Sequence, residues 1–146
     1  MTGESGTRQR GFTLIEIMVV VVIIGLMAAV ITTTVMSKVD DARISKAKQD
    51  LHALENALDI YKLDNVNYPT TEQGLQALVT KPADPNLVNW NSAGYIKRLS
   101  KDPWGGEYKY EAPGTHNGQY DLYTLGADKQ VGGEKSNADI GTWDLE

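Results

Sequence analysis

The sequence predicts an α+β fold, with one long N-terminal helix followed by a small antiparallel sheet. Three observations carry this. No proline interrupts the chain from Met1 to Tyr68. Within that stretch apolar residues first fill every side and then retreat to a single stripe, the pattern of one helix in two settings. Beyond Pro69 the chain is cut by Gly, Pro and Asn into short segments, two of which alternate in polarity like strands.

The helix is expected over Phe12–Leu63, stopping near Asp64 and Asn65 ahead of Pro69. From Ile17 to Ser37 there is no charged residue, and a helix needs roughly 20 apolar residues to cross a bilayer core. After Lys38 the residues Ile44, Ala47, Leu51, Leu54, Leu58 and Tyr61 recur at steps of three or four, with Lys46, Asp50, Glu55 and Asp59 between them. That stripe should dock on a domain. Thr70 and Gln73 have the spacing of a capping box, which places a short helix through Leu75, Leu78 and Val79. Thr80 to Gly94, with Pro82 and Pro85, reads as loop. Strands are expected at Glu107–Glu111 and Tyr120–Leu125, joined by a turn through Pro113, Gly114 and Asn117-Gly118. A last edge strand is expected at Thr142–Leu145.

With 146 residues and 16.0 kDa, the chain fits one modest domain and an appendage. It has no cysteine, so a small core needs another staple: a metal, partner subunits or the long helix. The net charge is −5 and the pI about 5.0, with no basic stripe interleaved with aromatics. No nucleic acid is expected among its partners.

At the N-terminus Arg8 and Arg10 precede the uncharged run, so the positive-inside rule puts the first residues in the cytoplasm and the bulk of the chain across the membrane. Three readings of this segment stand open. It is a plain single-pass anchor, a secretory signal cut near Ala28-Ala29, or a leader cut just before the apolar run. Glu16 bears on the choice. A carboxylate in an apolar segment costs about 2.5 to 3.5 kcal/mol on insertion scales unless paired. A cut between Gly11 and Phe12 creates an α-amine close to Glu16, and the amine of one subunit can neutralise the glutamate of the next.

The segment Arg10-Gly11-Phe12-Thr13-Leu14-Ile15-Glu16 and the apolar run after it resemble the class III leader of type IV pilins and type II secretion pseudopilins. The resemblance implies cleavage after Gly11 by a prepilin peptidase, methylation of the Phe12 amine, and a role for Glu16 in subunit register and assembly. Three further stretches narrow it: Asn67 to Leu75, Asp102 to Tyr108, and Tyr120 to Asp128 are similar to major pseudopilins of type II secretion. The absence of cysteine agrees, since type IV pilins commonly close their C-terminal region with a disulfide. The family's usual proline in the apolar run is replaced here by Thr32-Thr33-Thr34. In family filaments the helix is unwound between the glycine matching Gly25 and that proline. Threonine, a weaker helix former than Ala or Leu, permits the same softening less forcefully.

Asp128 and Asp139 bracket the glycine-containing stretch Gln130 to Asn137. By spacing alone this is a solvated loop whose aspartates cap turns. The resemblance implies one structural calcium ion held by the Leu125 carbonyl, the side chains of Asp128 and Asp139, and Val131 and Ser136. Such an ion takes six to eight oxygens.

No enzyme is expected. His52 lies on the amphipathic helix and His116 in the hairpin turn, neither with a metal-ligand partner at a recognisable spacing. The serines lack a nucleophile-elbow context, and no glycine-rich phosphate loop precedes Lys129. Tyr108, Tyr110, Tyr120 and Tyr123 read as sheet packing, Trp104 and Trp143 as anchors.

The expectation is therefore a type IV pilin fold divided into a leader (1–11), a transmembrane or filament-core half-helix (12–37) and a periplasmic domain (38–146). The resemblance implies a single-pass protein of the bacterial inner membrane, in contact with lipid before assembly. It further implies a homopolymeric periplasmic filament that helps export folded proteins, with minor pseudopilins and an inner-membrane assembly platform as partners. The rivals are a surface type IV pilin and a membrane-anchored adaptor domain that never polymerises.

Overall fold

The computed structural model describes residues 11–145, with the backbone alone over 30–35. The chain divides into two compact units, Met1–Lys38 and Val39–Glu146. The leader expected at 1–11 lies outside the described residues except for Gly11.

Helix α1 runs over Leu14–Asn65, 52 residues, two residues later at each end than expected. Its start is chemical: the Thr13 hydroxyl accepts a hydrogen bond from the Glu16 N–H at 3.3 Å, satisfying a first-turn donor. At the other end the Asn65 amide donates to the Tyr61 carbonyl at 2.9 Å and the Tyr95 hydroxyl at 2.8 Å. Val66 then turns left-handed with φ 71. The backbone is helical through 32–34; the unwinding implied there concerns the assembled filament.

In the second unit the α1 stripe is buried as its periodicity requires. Ala47, Leu51, Leu54, Leu58 and Tyr61 join Leu75, Leu78, Tyr108, Tyr110, Leu122 and Ile140 in one core. Each large side chain so buried contributes about 2 kcal/mol. The capping box at Thr70 and Gln73 forms in both directions, at 3.2 and 3.0 Å. It closes a turn rather than a helix, because Gly74 at φ 56 breaks the run, and Leu75–Leu78 is a single 3-10 turn.

The sheet has order β1-β2-β3, with β1 at Lys109–Glu111, β2 at Asp121–Thr124 and β3 at Ile140–Gly141. Both pairings are antiparallel; Tyr110 faces Leu122 and Thr124 faces Ile140. Two expectations are corrected. The first two strands are shorter than expected, and the last strand precedes Thr142 rather than following it. Thr142–Asp144 is a 3-10 turn, in which the Asp144 carboxylate accepts from the Gly141 N–H at 3.0 Å. The Trp143 ring folds back over Gly141, where a Cβ would collide with it, and stacks on His116 at 3.9 Å. That aromatic contact is incompatible with a continued strand.

Two buried carboxylates organise the loops around this sheet. Asp102 accepts from the N–H groups of Trp104 (3.0 Å) and Gly106 (2.7 Å), and from the Thr124 hydroxyl (2.5 Å). The turn it makes, with Gly105 at φ 81, keeps Glu107 and Tyr108 out of the ladder. A Cβ on Gly106 would sit 2.7 Å from an Asp102 oxygen. Gly106→Ala is therefore expected to lower stability by about 2 kcal/mol, read as a shift in the denaturant midpoint of the detergent-solubilised chain.

Asp121, 2% exposed, gathers the hairpin connection. It accepts from the Thr115 N–H (2.7 Å) and hydroxyl (2.8 Å), the N–H groups of His116 (3.0 Å) and Asn117 (3.2 Å), and pairs with the His116 ring at 2.9 Å. Burial by itself pushes this carboxyl up. The bonds from His116, Thr115 and Asn117 outweigh burial and hold it well below the usual carboxylate range. A depressed folded-state value means stability that is present above the unfolded carboxyl's pKa, near 3.9, and lost as pH falls through the folded one. Asp121→Asn is expected to cost about 2 kcal/mol at neutral pH and to flatten the acid limb of the stability–pH curve. An acid limb unchanged by the substitution would rule this out.

Candidate functional site

Two regions hold the residues singled out in the sequence. The first is the start of α1. Gly11, Phe12 and Thr13 stand outside the helix, and Phe12 is 79% exposed. Glu16 lies in the first helical turn and is exposed. Around and beyond it the apolar side chains Leu14, Ile15, Val21, Ile24 and Leu26 are all exposed. Among the described residues no helix is long and apolar enough to cross a membrane. The uncharged run of Ile17 to Ser37 passes through 30–35, whose side chains are outside the description.

The second region is the β2–β3 connection, residues 125–139. Its two ends are held together: the Ala127 N–H donates to the Ser136 carbonyl at 2.8 Å. Gly126, at φ 65, lies so close that a Cβ would be 2.7 Å from the Ser136 carbonyl oxygen and 2.8 Å from that of Ala138. Only glycine fits that approach. One oxygen of Asp139 accepts from the Gly132 N–H at 2.8 Å; the other is buried with no partner. Asp128, exposed, accepts from the Gln130 N–H at 3.0 Å and so caps its own turn. Leu125 and Ser136 are half-buried, and Val131 is 87% exposed. Among the described residues no three His, Cys, Asp or Glu side chains converge on one point.

The unpartnered buried oxygen of Asp139 fits a cation. A buried carboxylate oxygen without a donor is costly, and a loop turned by glycines can bring carbonyls to it. The donors on this loop are all oxygens, which suits a hard cation and not a thiolate-seeking metal.

Sequence reasoning anticipated the tyrosines: Tyr108, Tyr110 and Tyr120 are buried in the core. It missed Asp102 and Asp121 as structural carboxylates. For Asp102 the signal was available, since Asp-Pro-x-Gly-Gly is the pattern of an Asx turn. Asp121 lies in a strand, and nothing in its neighbours announces that the chain folds five hydrogen-bonding groups onto it.

A long N-terminal helix, half bare and half packed on a small antiparallel sheet closed by a C-terminal loop, is the fold of the type IV pilin class. Residues 6–32 match the prokaryotic N-terminal methylation motif, and residues 34–143 match the family described as type II secretion system (T2SS), protein G. The chain belongs to the type II secretion system protein G family. The type II secretion system core protein G of Pseudomonas aeruginosa is 57% identical over 138 residues, covering 94% of this chain and 96% of the relative. That of Vibrio cholerae is 55% identical, covering 95% and 94%. A crystal structure of the major pseudopilin from the type 2 secretion system of enterohaemorrhagic Escherichia coli superposes with a TM-score of 0.66 at 47% identity. It covers 75% of this chain and 94% of that one.

Proposed function

We propose that this chain is the structural subunit of a type II secretion pseudopilus, assembling from the inner membrane into a periplasmic filament that drives export of folded proteins across the outer membrane. One observation carries the reading. The first part of α1 presents exposed apolar side chains on every side, and such a surface must be covered by lipid or by other copies. Family membership says which filament. The chain's work is packing and assembly rather than catalysis.

A prepilin peptidase cuts after Gly11 and the Phe12 amine is methylated. Both residues precede the helix, where the backbone can enter an active site without unwinding. The new amine of one subunit then pairs with Glu16 of its neighbour, offsetting the cost of the buried carboxylate. The subunit is anchored in the inner membrane by a single pass, with residues 38–146 in the periplasm, and it joins minor pseudopilins and an inner-membrane assembly platform. The intact mass of the membrane-extracted protein tests the processing step. It should fall by the mass of residues 1–11 and rise by one methyl group. An unprocessed mass in cells that form filaments would refute it.

The loop at 125–139 holds one calcium ion through Asp139, Asp128 and the Leu125 carbonyl, with Val131 and Ser136 as further oxygen donors. The ion ties the loop to the sheet edge as a disulfide would. Its support is the orphaned Asp139 oxygen.

A further inference from the structure

The Asn117-Gly118 pair turns the chain between β1 and β2 and carries a chemistry of its own. Of the chain's asparagines, only Asn117 is followed by glycine. Both residues are exposed. Gly118 stands at φ 71, and a Cβ there would meet nothing within 4 Å, so its backbone nitrogen lies in open space. The Gln119 N–H donates to the Asn117 carbonyl at 2.8 Å, closing a three-residue turn around Gly118. Among the described residues the Gly118 N–H itself donates to nothing. A hydrogen bond on a carbonyl draws charge from the amide nitrogen joined to it, which makes the Gly118 proton easier to remove.

The same turn is tied on both sides. The Asn117 N–H donates to the Asp121 carboxylate at 3.2 Å, and its side-chain Nδ2 donates to the Thr142 hydroxyl at 3.2 Å. Thr142 is buried, and the next residue, Trp143, stacks on His116. This contact fastens the hairpin connection to the C-terminal turn. Past Gly118, Lys62 of α1 donates to the Gln119 side chain at 3.4 Å.

We propose that Asn117 is a site of self-modification. The chain converts it, without an enzyme and with water as co-reactant, to aspartate and isoaspartate, and the product loosens the hairpin connection from the C-terminal turn. The Gly118 nitrogen loses its proton and attacks Cγ of Asn117, forming a five-membered succinimide. The Cγ–Nδ2 bond breaks, and ammonia leaves with a proton in place of the one Gly118 gave up. Water then opens the ring. Cleavage at Cγ restores the ordinary backbone with an aspartate. Cleavage at the backbone carbonyl carbon leaves the main chain running through the former side chain, one atom longer. The balance is one water in and one ammonia out, with nothing oxidised or reduced. Either product replaces the Nδ2 donor by a carboxylate close to the buried Asp121 carboxylate, and like charges so placed repel. The longer backbone also shifts Gln119 against its partner on α1. The conversion needs only the folded subunit, so it is independent of the pseudopilus reading.

Peptide mapping by mass of the full chain, incubated in detergent in mildly alkaline buffer, tests this. The peptide holding Asn117 should gain one mass unit and split into two forms of equal mass, while those holding Asn56, Asn91 and Asn137 stay unchanged. The converted chain should melt at a lower temperature than the fresh one. Asn117→Gln keeps the amide but places it one methylene too far for the five-membered ring; it should hold both its mass and its melting temperature through the incubation. Asn117→Asp supplies one product directly and should melt below Asn117→Gln. Conversion at Asn117 no faster than at Asn137 would overturn the proposal. So would conversion confined to urea-unfolded chain, because the native turn would then protect the pair. Conversion in the folded chain with an unchanged melting temperature would overturn the loosening.

Discussion

Glu16→Ala is expected to abolish filaments while leaving the periplasmic unit folded and the chain in the membrane. Three physical points set this expectation. Removing a carboxylate from an apolar segment makes insertion easier, by about 2.5 to 3.5 kcal/mol, so membrane yield should hold or rise. The bond that starts α1 uses the Glu16 backbone N–H with the Thr13 hydroxyl, so alanine keeps it and the helix still begins at Leu14. What alanine removes is the charge proposed to pair with the amine that cleavage would expose at Phe12. Glu16→Gln separates charge from size: a charge-pairing role predicts that Gln is as defective as Ala. Sedimentation of sheared filaments beside thermal unfolding of the extracted subunit reads both quantities. Normal filament yield from Glu16→Ala would end the pairing argument.

The second large effect concerns calcium. Chelation should lower the melting temperature of the wild-type chain, and Asp139→Ala should lower it further and remove the response to chelator. Binding to the folded state alone stabilises by about 1.4 kcal/mol at ten times the dissociation constant. For a unit of this size that corresponds to a shift on the order of 5 to 10 °C. Asp139→Ala also deletes the acceptor of the Gly132 N–H, which adds about 1 kcal/mol. Asp128→Ala should cost less, because that side chain is exposed and caps only its own turn. The ordering Asp139 over Asp128 comes from burial. Melting curves of wild type, Asp128→Ala and Asp139→Ala that coincide with and without chelator would exclude a structural ion.

Much of the fold was legible because helices announce themselves by local periodicity. The spacing of Ile44 to Tyr61 identified the buried face before any partner was known, and alternation around Tyr110 and Leu122 located the sheet. What escaped were features set by groups distant in sequence. Thr142 to Leu145 has the composition of a strand, yet Trp143 stacks on His116 and Asp144 turns back to Gly141. The capping box at Thr70 was read correctly, but Gly74 at φ 56 ends the helix that it should have begun. At the C-terminal loop the sequence offered two aspartates of equal standing. Burial distinguishes them, leaving Asp139 with an oxygen that needs a partner.

The sequence by itself determined the family of the chain, its long helix, the face that helix buries, and the glutamate set in its apolar half. All of these depend on residue order and the helical repeat, which need no tertiary contact to be read. Tertiary structure alone decided which carboxylates are buried and where the last strand ends. Those depend on which distant segments come to lie against one another, and local propensity carries no record of that.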